Sequence, residues 1–195
     1  MNKIRELFAK PIDRKIEEVI KVDQADETTV REELEEYVVT DSIRDHFIHV
    51  YDEIAKAISN PHEGIGVWVS GFFGAGKSSF AKIVGYTLGK KRVGNRTADE
   101  VFKAHVKDEK VSALLENILN RIQVQPVIFD VSMERGVRTA NERMTEIMYK
   151  ALLRELGYAE DFDLAKLEMD LERDGKLDAF CKQFQKMHGQ SWQER

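Results

Sequence analysis

The glycine-rich segment GFFGAGKS, at Gly71–Ser78, constrains this chain more than any other feature of its sequence. It matches the pattern G-x-x-x-x-G-K-[ST] at every fixed position, a pattern in which the backbone N–H groups of a loop surround phosphate oxygens. Such a loop joins a strand to a helix. An apolar, β-branched run at 65–69 precedes it, and apolar residues at helical spacing follow it over 78–88. The segment is therefore predicted to be a phosphate-binding loop.

Each position of the loop has an expected role. Gly71, Gly74 and Gly76 permit backbone angles that a side chain disfavours, and the N-terminus of the following helix adds positive charge. Lys77 is the predicted catalytic cation, reaching the β- and γ-phosphates of ATP or a close relative, and the Ser78 hydroxyl is expected to ligate Mg²⁺. The residues predicted to bind the cofactor are Gly71, Phe72, Phe73, Gly74, Ala75, Gly76, Lys77, Ser78 and Ser79.

The two phenylalanines of the loop, Phe72 and Phe73, are too large for a compact turn and cannot bind phosphate. The favoured interpretation is that they pack beneath the loop or against a neighbouring domain, and stacking on adenine is the alternative. Trp68, in the run before the loop, is expected to be a core residue for the same reason.

The order of predicted elements indicates an α/β fold. Residues 65–69 are predicted to form the first central strand and residues 127–131, after Pro126, a second buried strand. We therefore expect a partial, AAA-like P-loop NTPase with a parallel sheet core. Helices are predicted at 30–36, after Asp41, at 78–88, in two pieces over 97–122, at 144–156, and as two helices over 163–195 broken at Gly175.

Three regions follow from this order. Residues 1–60 are expected to form a helical and extended lead-in, with a short amphipathic helix in the first ten residues and an extended segment at 11–22. Residues 61–157 are the expected, incomplete P-loop core, and residues 158–195 a truncated helical extension.

Capping boxes are predicted at Thr97 and at Thr139, because a Glu follows each three residues later.

Composition excludes several classes of protein. The 195 residues contain a single cysteine, Cys181, so neither an intrachain disulfide nor a zinc site made of cysteines can form. No run approaches the roughly 18 apolar residues of a membrane span, and the first residues lack the apolar core of a secretion signal. A cytoplasmic protein without a membrane contact is therefore expected. The net charge of -5 argues against a chain that coats nucleic acid through its overall field.

Hydrolysis requires an acidic residue at the end of a second strand, and Asp130 is the candidate that the sequence offers. Asp130 follows the apolar run 127–129, but no Glu follows it. In large ATPases of this class, the next strand after the loop strand often lies towards an edge and has no catalytic duty. A structural or peripheral role for Asp130 is therefore favoured, and a catalytic role is the alternative.

Two further groups of polar residues need an interpretation. A basic cluster follows the predicted helix 78–88, and it is interpreted as a solvated turn, with a DNA phosphate contact as the sharper alternative. His46 and His49 share a predicted helix face, but without a third ligand they are interpreted as ordinary surface residues. The basic cluster consists of Lys90, Lys91, Arg92 and Arg96.

Several segments together resemble one protein family. They are GVWVSGFFGAGKSSF at 66–80, LFAKPIDR near the start, EEYVVTDSIRDHF before the predicted strand, and SWQER at the end. These segments resemble the N-terminal region of the BrxC (PglY-like) family, the large P-loop ATPases of BREX bacteriophage-defence systems. The double-Phe loop and the upstream YVVT segment make this resemblance far more specific than the phosphate loop alone. Ala75 stands where the family pattern has Ser, at a position that acts through its backbone.

The resemblance implies a multi-domain, AAA-like ATPase that is a homo-oligomer when full length. Its implied partners are a DNA methyltransferase, a phosphatase-like protein and smaller BREX proteins, with a possible DNA contact. Family members are much longer, and this chain ends before an evident acidic strand, sensor or arginine finger. We therefore expect an N-terminal fragment that binds nucleotide weakly and hydrolyses it slowly or not at all.

Two other functions stay open at the level of sequence. The chain could be a non-catalytic module that docks a BREX protein or DNA, with a conformation set by nucleotide. It could also be a small-molecule kinase, although that class needs a lid of arginines that the sequence does not display. Salt-dependent DNA binding through residues 90–96 would favour the docking module.

Overall fold

The structure is a computed structural model that describes residues 26–60, 65–130 and 144–192. The helix expected in the first ten residues, the extended segment at 11–22 and the cap at Thr139 lie outside these ranges. Within them the chain is mostly helical. The helices are α1 Glu27–Glu36, α2 Asp41–Ser59, α3 Lys77–Leu88, α4 Ala98–Val106, α5 Glu109–Leu119, α6 Met144–Glu155, α7 Phe162–Arg173 and α8 Leu177–His188, and the strands are β1 Arg92–Val93 and β2 Arg96–Thr97.

Local sequence signals explain where several helices begin and end. The carboxylate of Asp26 accepts a hydrogen bond from the Thr29 backbone N–H at 3.0 Å, which caps α1. The predicted capping box of α4 is confirmed, and the Thr97 N–H donates to the Glu100 carboxylate at 3.0 Å. Gly157 and Gly175 have φ of +82° and +67°, just after the ends of α6 and α7. Glycine tolerates this left-handed conformation, so both predicted helix ends are confirmed.

Helices α1 to α5 share one hydrophobic core. Phe47 of α2 is fully buried at its centre, and its ring lies 4.6 Å from that of Phe80 in α3 and 4.9 Å from that of Phe102 in α4. Buried aromatic rings contribute large apolar areas and favour such tilted contacts. The core therefore combines helices from both sides of the expected boundary between residues 60 and 61.

Two polar contacts cross this core. The Tyr51 hydroxyl of α2 lies 2.8 Å from the Thr87 hydroxyl of α3, and Thr87 donates to the Ile83 carbonyl. Burial raises the pKa of Tyr51, because the phenolate would lose its hydration. The buried ammonium of Lys82 in α3 donates to the Glu33 carboxylate of α1 at 2.6 Å. These contacts set how α3 is oriented against α1 and α2.

The expected parallel sheet core is wrong. The strands of the described residues form one antiparallel hairpin, β1 paired with β2, in the register Arg92 with Thr97 and Val93 with Arg96. Across its described ranges the chain is therefore mostly helical, and this finding replaces the expected α/β class and its parallel sheet.

The segment 65–69 and the described part, 127–130, of the second predicted strand form neither helix nor strand, and neither pairs with a strand among the described residues. In the segment 65–70, Trp68 is 91% exposed and Val67 is 53% exposed, so the expected core position of Trp68 is wrong. The segment 124–130 is half-buried against α3 instead of pairing in a sheet. β-branched composition favours an extended backbone, but only pairing with a second strand makes a sheet.

The two C-terminal helices predicted on either side of Gly175 are confirmed as α7 and α8, and they form a smaller set of contacts with the residues that follow. Trp192 is buried, with its ring edge-on to Phe180 at 4.8 Å and to Phe184 at 4.9 Å, both in α8. Its indole N–H donates to the Glu168 carboxylate of α7, which also accepts from the Ala159 N–H. The aromatic contacts and this carboxylate join α7, α8 and the residues that follow.

Close packing against α3 at Gly89 yields a stability prediction. A Cβ at Gly89 would lie 2.5 Å from Pro126 Cγ and 2.6 Å from Pro126 Cδ, and a proline ring cannot rotate away. We expect Gly89→Ala to lower the free energy of unfolding by about 1–3 kcal/mol, measured by urea denaturation. The matched control is Gly66→Ala, whose Cβ would meet no atom within 4 Å. Equal stability of the two variants would contradict this packing.

Candidate phosphate-binding site

The glycine-rich loop is exposed and leads directly into a helix. Residues 71–76 are solvent-exposed, and α3 begins at Lys77. Gly74 and Gly76 both have φ of +79°, in the left-handed region that L side chains rarely adopt. Gly76 is the N-cap of α3, and no side chain caps the helix there. The N–H groups of the first turn of α3 therefore border the loop without intrahelical acceptors.

The Lys77 side chain reaches back over the loop. Its ammonium group donates a hydrogen bond to the Phe72 carbonyl at 2.8 Å, and the Ala75 N–H donates to the same carbonyl at 3.2 Å. This contact holds the positive charge over the loop residues and next to the N-terminus of α3. A phosphate oxygen placed in the loop would be a stronger acceptor for this ammonium than a neutral carbonyl, because the hydrogen bond would be charge-assisted.

Ser78 and Ser79 occupy the next positions of α3. Ser78 is exposed and Ser79 is half-buried, so the Ser78 hydroxyl is the accessible oxygen of the pair. Across the described residues, no group of three or more His, Cys, Asp and Glu side chains could hold a metal ion. The expected role of the Ser78 hydroxyl as a Mg²⁺ ligand stays a prediction.

Phe72 and Phe73 do not pack beneath the loop, which was one of the two packing arrangements expected from sequence. Their side chains are 91% and 103% exposed. Both rings are therefore available to a ligand or a partner. Stacking on a base, and packing against a neighbouring domain, stay predictions.

Asp130 ends the segment that packs along α3. Pro126 lies beside Gly89, and Ile128 lies beside Gly85, so the segment runs antiparallel to α3. Asp130, two residues further on, therefore lies towards the N-terminal end of α3, where the loop is. Asp130 is half-buried and takes part in polar contacts of its own. Its catalytic role stays a prediction.

A cleft of about 420 Å³ lies beside the loop. We call it the loop–α2 cleft. Its loop side is formed by Ala75, Gly76 and Lys77, and its other walls are formed by residues of the segments 37–50 and 67–70. Tyr37, at its edge, is half-buried, and burial raises the pKa of its hydroxyl. Residues from three separate parts of the chain thus meet next to the phosphate loop.

His46 and His49 both line this cleft. Their common helix face was expected from their spacing, and their exposure agrees with the interpretation of both as surface residues. Nothing in the sequence indicated the cleft. Both side chains are exposed within it. Their i, i+3 spacing indicates that both histidines lie on one face of α2. That this face lies near the loop depends on the packing of α2 against α3, which the spacing does not reveal.

Two residues of the basic cluster, Arg92 and Arg96, lie on the strands of the β1–β2 hairpin, and the other two, Lys90 and Lys91, lie just before it. Lys90, Arg92 and Arg96 are exposed, whereas the Lys91 ammonium lies 5.6 Å from the centre of the Tyr86 ring. The Arg96 guanidinium also donates to the Glu100 carbonyl at 2.7 Å. A solvated cluster agrees with these exposures, and contact with DNA phosphates stays a prediction.

No protein-family model matches the chain, and no solved structure matches it. A search of the described helices also finds none with the length and apolar character needed to cross a membrane.

Proposed function

We propose that this chain binds the phosphates of ATP, or of a close relative, together with Mg²⁺ through the loop Gly71–Ser78. One observation supports the proposal above all others. The exposed glycine-rich loop has left-handed Gly74 and Gly76 and opens directly into α3, with the Lys77 ammonium held over it. Glycines, an uncapped helix N-terminus and a lysine are the parts that a phosphate cradle requires.

The charges at this site favour a polyanion. The N-terminus of a helix carries about half a positive charge, and the Lys77 ammonium adds a full one. A hydrogen bond to a charged group contributes about 1.5–3 kcal/mol, which is more than a neutral bond contributes. The Ser78 hydroxyl would be a ligand of the magnesium ion that accompanies the triphosphate. The chain's own contribution is thus to hold the phosphates and to orient them against α3.

We also propose that the chain is part of a large P-loop ATPase of the BrxC (PglY-like) family in a BREX anti-bacteriophage system, and that it acts in the cytoplasm. Support comes from the four segments quoted above, above all the double-Phe loop within 66–80. In this proposal, ATP binding and hydrolysis drive or regulate a DNA-directed complex. Its partners would be a methyltransferase, a phosphatase-like protein and smaller BREX proteins, with the ATPase itself a homo-oligomer.

A docking module is the second candidate. The exposed basic residues Lys90, Arg92 and Arg96 favour it, because three cations on the β1–β2 hairpin and the turn just before it can contact a phosphate backbone. In this alternative nucleotide sets the conformation and the chain does no chemistry. DNA retention that falls with salt, and that is lost when the three residues are changed to Gln, would support the docking module over the ATPase.

Calorimetry with Mg·ATP tests the binding proposal. We expect Lys77→Ala to weaken the affinity at least tenfold, because about 1.5–3 kcal/mol of charge-assisted hydrogen bonding is lost. The matched control is Lys182→Ala, which removes an exposed lysine of α8. Its affinity should equal that of the wild-type chain. Binding heat that is absent in the wild-type chain, or undiminished in Lys77→Ala, would contradict the proposal.

A steady-state phosphate-release assay tests the role of Asp130. We expect the chain to release phosphate slowly or not at all, and Asp130→Asn to bind Mg·ATP as the wild-type chain does. This expectation follows from a structural role for the Asp130 carboxyl. Turnover at about 1 s⁻¹ or faster, lost in both Lys77→Ala and Asp130→Asn, would instead assign Asp130 the catalytic role.

A further inference from the structure

The loop–α2 cleft is continuous with the phosphate loop. Gly76 and Lys77 belong to both, since they line the cleft and also form the junction between the loop and α3. A ligand whose phosphates occupied the loop could therefore extend into the cleft without leaving the protein surface. The cleft volume of about 420 Å³ lies within the roughly 300–1,000 Å³ that is typical of small-molecule sites.

Part of the cleft lining is apolar. It comes from three consecutive residues, Val67, Trp68 and Val69, which are 53%, 91% and 40% exposed. A contiguous run of exposed apolar side chains, unlike a single one, indicates a binding surface. The faces of the Trp68 indole are free to stack on another flat group, an interaction that tolerates any nucleobase because every base has a π-face.

Another part of the cleft wall carries polar groups. Among the lining residues contributed by α2 and the residue before it are His46, His49, Thr40 and Ser42, next to the apolar Ile43 and Val50. Imidazole nitrogens and hydroxyls can both donate and accept hydrogen bonds, so they suit ribose hydroxyls and the polar edge of a base. The cleft thus combines an aromatic side chain with hydrogen-bonding side chains, and a nucleoside likewise combines a flat base with polar edges and sugar hydroxyls.

We propose that the loop–α2 cleft holds the nucleoside of the bound nucleotide, with the base on Trp68 and the sugar and base edge towards His46 and His49. This inference rests on the proposed function, because it concerns the remainder of the same ligand. It assigns base and ribose contacts to residues outside the glycine-rich motif. It also gives the exposed Trp68 indole a role in binding, whereas phosphate binding by the loop alone would leave that side chain without one.

Comparing two ligands separates the cleft from the loop. Mg·ATP carries both a nucleoside and a triphosphate, whereas magnesium tripolyphosphate carries the phosphates alone. We expect Trp68→Ala to weaken Mg·ATP binding about 5- to 150-fold, the range measured for loss of one base–aromatic stack, and to leave tripolyphosphate binding unchanged. Lys77→Ala should weaken the binding of both ligands. The control Met187→Ala, which removes an exposed apolar side chain of α8, should change neither.

The outcomes are distinguishable. If both ligands bind the wild-type chain equally and Trp68→Ala changes neither affinity, the nucleoside site is overturned and the phosphate site stands. If neither ligand binds, the proposed function and this inference fail together. If Trp68→Ala weakens both ligands equally, the indole supports the loop and does not contact a base, which also overturns the inference. Because Trp68 is exposed, the variant should keep its far-UV circular dichroism and its thermal midpoint, and both are checked first.

A second measurement uses the polar side chains of the cleft. His46→Ala combined with His49→Ala should weaken Mg·ATP binding and again spare tripolyphosphate. His188→Ala, in α8, is the matched control and should change neither affinity. An unchanged affinity of the double variant for Mg·ATP would remove the histidines from the site, and the base and sugar contacts as proposed would then be wrong.

Discussion

The packing of Phe47 against Phe80 and Phe102 is the interaction on which the rest of the structure depends. These rings join α2, α3 and α4 at one point, with centroid separations of 4.6 and 4.9 Å. Phe80 lies in the first turn of α3, directly after Lys77 and the two serines. The core therefore fixes the N-terminus of α3, and with it the direction in which the loop's amide groups point. A site that is exposed in every residue from 71 to 76 is thus positioned by a buried aromatic contact.

The same packing creates the second half of the candidate site. Phe47 packs against Phe80, which brings α2 next to α3, and His46 and His49 of α2 line the same cleft as the loop residues Gly76 and Lys77. Trp68, from the segment before the loop, also lines this cleft. Phosphate recognition in this proposal depends on local backbone geometry, whereas nucleoside recognition depends on how two helices pack. Substitutions in the loop should therefore weaken the binding of the phosphates, and substitutions in the cleft should weaken the binding of the nucleoside.

Sequence reasoning predicted the local features and missed those that depend on distant contacts. Helix ends at Gly157 and Gly175, the box at Thr97, and the helix after the loop all follow from neighbouring residues, and the structure confirms them. The strand predicted at 65–69 was wrong, and so was the described part, 127–130, of the second predicted strand, because a strand needs a pairing partner that composition does not specify. Trp68 was misassigned to a core for the same reason. The loop could be recognised from sequence because its motif is contiguous. The cleft beside it could not be recognised, because its lining residues come from separate segments of the chain.

The central claim is that backbone N–H groups at the start of α3 bind the phosphates. Amide chemical shifts in an isotope-labelled chain test it most directly, by titration with Mg·ATP and, separately, with adenosine. The account predicts large shifts for the amides of Gly74, Gly76, Lys77 and Ser78 with Mg·ATP, and much smaller ones at these four positions with adenosine. Unchanged loop amides at saturating Mg·ATP, or equal changes with adenosine, would contradict it.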